Sequence, residues 1–195
     1  MSYDHKKVID KLVEDCNLQE GDIFIDLGAN LGQELDVIAP MGVLVHSFEP
    51  HPELFKTIQK NHGHRDNVTL HNAAAWIYDG DITFFFKNSK QQANGGASLI
   101  EEKTNINRSL KETVPCVDIS RYLKEFSKPV KVLKIDVEGA EYYLLEKLIK
   151  EKALDNIEFI YCEDHERKCT SSEWATKKKE VLSELRDRGI QLRDW

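Results

Sequence analysis

Short apolar runs alternate along this chain with stretches whose apolar residues recur at helical spacing. Ile23, Phe24, Ile25 and Leu27 form the first run, broken only by Asp26 and followed at once by Gly28-Ala29-Asn30-Leu31-Gly32. An apolar run of this length closed by glycines predicts a buried strand entering a tight turn. Val43 to Phe48, Val68 to Asn72, Lys131 to Ile135 and Ile157 to Cys162 predict four further strands. Between them, Val8, Ile9, Leu12, Val13 and Cys16 mark a helix over Lys6 to Asn17. Gly32 to Gly42 leaves room for a short helix, and Pro52 suits the first position of the next, which buries Leu54, Phe55 and Ile58. Gly139 to Lys150 is helical, with Leu144, Leu145, Leu148 and Ile149 inward. Thr170 and Glu173 fit a capping box ahead of a helix burying Trp174, Val181, Leu182 and Leu185. Strands alternating with helices predict an α/β fold, a parallel sheet covered by helices on both faces.

Two regions depart from this alternation. Asp79-Gly80, Ile82 to Phe86 and Val114 to Val117 predict a hairpin-like insertion, and Asp118 is placed to cap a helix with Ile119, Tyr122, Leu123 and Phe126. Within the insertion, residues 88–111 are polar and contain Gly95-Gly96. A connection of that length without periodicity predicts a lid or substrate loop, with Asn105, Asn107 and Arg108 as contacts. At the other end, Ile190 to Trp195 leaves room for one strand, so the C-terminal part of the sheet is expected to be short or truncated, or completed by the partner in a homodimer.

The 195 residues suit a single domain over 1–195, and the 41% hydrophobic content suffices for one core. A net charge of −7 disfavours nucleic acid as a partner. Cys16, Cys116, Cys162 and Cys169 lack metal-ligand spacing, and no membrane-spanning stretch is read, so a cytoplasmic location is expected.

A glycine turn after the first strand and an acid ending the second, Glu49, form an adenosine-type site in which the acid accepts from ribose hydroxyls. The glycines are not spaced as G-x-G-x-x-G, and an acid at Asp26 would repel a pyrophosphate. It suits an ammonium carried on an adenosine, which points to S-adenosylmethionine. Gly28, Asn30 and Gly32 are then expected at the methionine end, with Asp26 near the ammonium, directly or through water. Ligands bind beyond the carboxyl ends of strands in such sheets, which selects Asp136 beside the transferred methyl, Glu138 in the following turn, and Glu163 and His165 at the next strand end. His165 is expected to be the general base, with a magnesium ion on Asp136 and Glu163 as the alternative route. Lys134 is expected to pair with Asp136 on the same strand face.

Three segments resemble the FkbM family of S-adenosylmethionine-dependent methyltransferases: Ile25 to Gly32, Phe48-Glu49-Pro50-His51-Pro52, and Leu133 to Glu141. Asn72-Ala73-Ala74 and Glu163 fit as well. The resemblance implies a Rossmann-like class I methyltransferase sandwich of three layers and places Asn72 and Ala73 beside the adenine. It also implies a small-molecule substrate, with O-methylation of a sugar or natural-product hydroxyl leading. A non-catalytic S-adenosylmethionine-binding or regulatory protein is the alternative.

Overall fold

Each apolar run marked as a main strand forms one. The computed structural model describes residues 5–88 and 96–195. Its elements in chain order are α1 (His5–Asp15), β1 (Ile23–Leu27), α2 (Gln33–Ile38), β2 (Leu44–Phe48), α3 (Pro52–His62), β3 (Val68–His71), β4 (Ala74–Trp76), β5 (Gly80–Phe85), β6 (Lys111–Asp118), α4 (Ile119–Leu123), β7 (Val130–Ile135), α5 (Glu141–Lys150), β8 (Ile157–Cys162), α6 (Ser172–Asp187) and β9 (Leu192–Asp194). Six strands form one parallel sheet in the order β3-β2-β1-β7-β8-β9. The order reverses between β1 and β7, and it is at such a switch point that an open α/β sheet leaves a crevice for a ligand.

β1 is buried along its whole length, as expected for the centre of a parallel sheet covered on both faces. Successive side chains of a strand point to opposite faces. Phe24, Val45 and Val132 therefore pack with Ile9, Leu12, Leu35 and Ile58 of α1, α2 and α3. Ile25, Leu27, Leu133 and Ile135 pack with Ile119 of α4, Leu144 and Leu148 of α5, and Trp174 and Leu185 of α6. These two cores make the three layers of the α/β sandwich. A second sheet, β4-β6-β5, sits beside it around Ala74, Phe84, Phe86, Val114 and Cys116. Among the described residues, no helix is long and apolar enough to cross a membrane.

Several boundaries differ from the sequence pattern. The α6 cap is Ser171, whose hydroxyl accepts from the Trp174 N–H at 3.2 Å, so the Thr170 capping box does not form. The expected strand over Val114 to Val117 extends to Lys111 and pairs antiparallel with β5. That extension shortens the loop expected over 88–111. Ser98 bridges to Phe85, and Ser98, Ile100 and Lys103 are buried; residues 89–95 of that loop lie outside the described residues. One strand, β9, follows β8 and pairs parallel to it.

Candidate active site

The carboxyl ends of β1, β2 and β7 open onto one cleft. Its walls include Gly28, Asn30, Glu49 and Asp136, with Ala74 and Ala75 on one side and Gly96, Ala97 and Leu99 on another. Gly28 stands where the chains leaving β1 and β7 cross. Its φ is +99°, and a Cβ there would lie 1.9 Å from the Asp136 carbonyl oxygen. The glycine is required by the protein's own backbone, whereas the sequence argument assigned it to ligand approach. Gly32 begins α2 with φ +80°, facing the His62 ring and off the cleft wall.

Glu49 ends β2 with only 5% of its surface exposed. One carboxylate oxygen accepts from the Asn30 N–H at 2.8 Å and the other from the His51 N–H at 2.7 Å. Burial pushes the Glu49 carboxyl up to about 8, against the pull of those two N–H groups. A carboxylate offers about four lone-pair sites, so acceptor capacity remains at the cleft. Asn72 donates its side-chain N–H to the Glu49 carbonyl at 2.9 Å and so braces the turn. Ala73 is buried, and the small residues that reach the cleft are Ala74 and Ala75.

Asp26 differs most from expectation. It is fully buried, accepts from Lys134 Nζ at 2.9 Å and from the Ser47 hydroxyl at 3.0 Å, and is absent from the cleft wall. It therefore does not meet a ligand ammonium directly. Asp26 and Lys134 are register partners on β1 and β7. Lys134 also donates to the Gly28 carbonyl at 2.9 Å and lies 3.6 Å from Glu34 and 3.8 Å from Asp136. Burial alone would push Lys134 down; the carboxylates around it hold it up and charged.

Just past the end of β7, Asp136 keeps 21% of its side chain exposed. Burial pushes it up to about 7, against the opposing pull of Lys134. His165 is buried, with Nδ1 2.9 Å from Glu141 Oε1 and Nε2 3.1 Å from Glu138 Oε2. Burial would lower its pKa, but the two carboxylates raise it to about 10. A raised pKa favours the imidazolium form of His165, which has no lone pair to take a proton, so the two carboxylates work against the base role expected of it. Glu138 also meets Lys103 Nζ and lies 3.2 Å from Lys168 Nζ. Glu163 sits at the rim, 42% exposed, 3.7 Å from His165 Nε2.

The sequence profile of the methyltransferase FkbM domain matches residues 26–192. The chain belongs to this family. The FkbM assignment makes it a class I S-adenosylmethionine-dependent methyltransferase. It is 27% identical over 216 residues to "Methyltransferase 1" of Beauveria bassiana, spanning 98% of this chain and 83% of that protein. A solved S-adenosylmethionine-dependent O-methyltransferase from Thermotoga maritima is 16% identical over 96% of this chain, with a TM-score of 0.48. The chain spans 51% of that structure's length. A precorrin 8w decarboxylase from Methanobacterium thermoautotrophicum is also 16% identical, over 95% of this chain and 72% of its own, with a TM-score of 0.49.

The FkbM cleft fits the adenosine part of the cofactor through its donor and acceptor set: Glu49 with acceptor capacity to spare, and the small Ala74 and Ala75 surfaces beside it. The fit to a metal ion is poor. Asp136, Glu138 and His165 each offer one atom within 4.8 Å of one another. Yet the Glu138 oxygen is already shared by Lys103, Lys168 and His165. A magnesium ion, which needs about six oxygen ligands in octahedral array, would enter beside three cations. Sequence reasoning missed Lys103, Glu34 and the clamp by Glu141, whose Oε1 also accepts the Val137 N–H at 3.2 Å and the Gly139 N–H at 3.0 Å. Glu141 entered the sequence reading only as the end of the segment from Leu133 that carries the family resemblance. Lys103 carried no signal in a polar stretch.

Proposed function

We propose that this FkbM methyltransferase acts on a hydroxyl of a small molecule such as a sugar or natural product. The observation that carries the reading is Asp136, a carboxylate at the switch point of the sheet that lines the cleft and whose pKa burial pushes up to about 7. A hydroxyl acceptor must lose its proton at or near methyl transfer, and a general base works best with a pKa near the working pH. Asp136 meets both requirements, and the imidazolium of His165 meets neither. Gly28, Asn30, Glu49, Ala74 and Ala75 would hold S-adenosylmethionine, which supplies a methyl group on a sulfonium leaving group. Glu49 accepts from the ribose hydroxyls, and the Asn30 N–H keeps its carboxylate turned into the cleft. Asp136 receives the acceptor proton. His165, held by Glu138 and Glu141, supplies a fixed positive charge 3.9 Å from Asp136 that steadies it as an anion until the proton arrives.

Labelled S-adenosylmethionine incubated with fractionated metabolites, in parallel with magnesium and with EDTA, tests the reading. Label should appear in a methyl ether at equal rates under both conditions. Label on an amine nitrogen, or a loss with EDTA that magnesium restores, would replace it.

A further inference from the structure

Among the described residues outside the sheet, Lys103 is a fully buried cation: its side chain has 0% exposure. It lies in the polar stretch after β5, far in sequence from every strand end that forms the cleft. Burying an ammonium is costly unless it is paired and hydrogen-bonded, so its partners identify what it holds. Its Nζ donates to the Gly96 carbonyl at 3.0 Å and to the Glu138 carboxylate. Gly96, with Ala97 and Leu99, is cleft wall, and Glu138 follows the strand that carries Asp136. Burial pulls the Lys103 ammonium down and Glu138 opposes that pull.

Other bonds hold the same segment in place. Ser98, fully buried, donates its hydroxyl to the Glu138 carbonyl at 2.7 Å and accepts from the Ile100 N–H at 3.0 Å. Thr104 donates its N–H to the Lys168 carbonyl at 2.8 Å. Glu138 itself has φ +55°, a conformation that strains a residue with a Cβ and persists where its surroundings impose it. Gly139 beside it faces Ile100 and Cys169, and a Cβ there would come 2.7 Å from Cys169 Sγ.

We propose that Lys103 is a positioning residue for methyl transfer: clamped between Glu138 and Gly96, it docks the 96–104 segment as the outer wall of the cleft and fixes the Glu138 turn beside Asp136. On this account Glu138, itself part of the cleft lining, is the anchor for that wall. The clamp also shares Glu138 with His165, so loosening it frees the acceptor end together with the wall. The docking stands on geometry alone; its consequence for the cofactor rests on the function proposed above.

Hydrogen exchange on the full chain, with calorimetry of S-adenosylhomocysteine, separates the two. In Lys103→Met, amides of 98–104 should exchange about tenfold faster or more, while α6 amides keep their wild-type rates, as local opening allows. S-adenosylhomocysteine should bind about fivefold more weakly or worse, since ordering the wall now draws on binding free energy. Glu138→Gln, which keeps the lysine but not the ion pair, should show the same local opening to a smaller degree. If Lys103→Met fails to fold, Glu138→Gln and Ser98→Ala decide by the same exchange measurement. Wild-type exchange over 98–104 in the variants that fold would overturn the proposal. Binding absent from the wild type would overturn the cofactor reading while leaving the exchange result to judge the clamp.

Discussion

Asp136→Asn should lower the rate of methyl transfer about 10²- to 10⁴-fold, the usual contribution of a positioned general base. The amide keeps the size of the side chain, so S-adenosylhomocysteine affinity should stay within about threefold, because no bond to the cofactor is removed. The pH dependence has a definite sign. Asp136 accepts a proton only when ionised, and its pKa is raised to about 7. At saturating cofactor the wild-type rate should therefore climb with pH below about 7 and level off above it. His165 remains charged across that range because its pKa is raised to about 10. His165→Ala should keep the acidic limb while shifting it upward, since a positive charge that favours ionised Asp136 is lost. A limb that vanishes in His165→Ala and persists in Asp136→Asn would make the histidine the base.

Lys134→Met should destabilise the fold by about 3–5 kcal/mol, the cost of removing one partner from a buried ion pair. Lys134 is the cation that Asp26, Glu34 and Asp136 share, and Asp26 is 0% and Glu34 3% exposed. Methionine fills the same space with no charge, leaving Asp26 of β1 with little but the Ser47 hydroxyl to face and Glu34 of α2 with little but His5. The variant should recover part of its deficit as pH falls, because carboxylates left without a cation then take up protons. Asp26→Asn added to Lys134→Met should also recover part of it. Urea denaturation of the single and double variants measures both effects. A loss under about 1 kcal/mol would place the group among ion pairs of negligible net worth.

The fold was legible because it depends on patterns that one stretch of chain carries alone. Five apolar runs separated by helical spacing determine a parallel sheet, and Glu49 and Asp136 stand at strand ends whatever the details of packing. The contacts inside the site depend on register, which no single stretch contains. Lys134 seemed the partner of Asp136, two residues along its own strand. Neighbouring strands, however, lie about 4.8 Å apart, whereas residues i and i+2 on one strand lie about 6.6 Å apart. The cross-strand neighbour Asp26 therefore takes the lysine, at 2.9 Å against 3.8 Å. His165 carries an ordinary histidine's pKa into any sequence argument. Only the packing of the turn after β7 against the end of β8 shows that Glu138 and Glu141 enclose it. Gly28 looked like a concession to a ligand because the crossing chain at Asp136 is more than a hundred residues away. Lys103 was hidden for the same reason, its meaning being set by Glu138 and not by its own neighbours.

Titration of S-adenosylhomocysteine into the wild-type protein and Glu49→Ala, followed by calorimetry, tests the central claim that this cleft is the cofactor site. Glu49 carries both the Asn30 and His51 N–H groups and faces the cleft. Its loss should weaken binding by about 1–3 kcal/mol, roughly five- to 150-fold, with one-to-one stoichiometry in the wild type. Wild-type affinity should also rise between pH 6.5 and 8.5, because burial raises Glu49 to about 8 and the proton must leave before both oxygens can accept ribose hydroxyls. Equal affinity in the two proteins, or no binding by either, would contradict the assignment of the cleft.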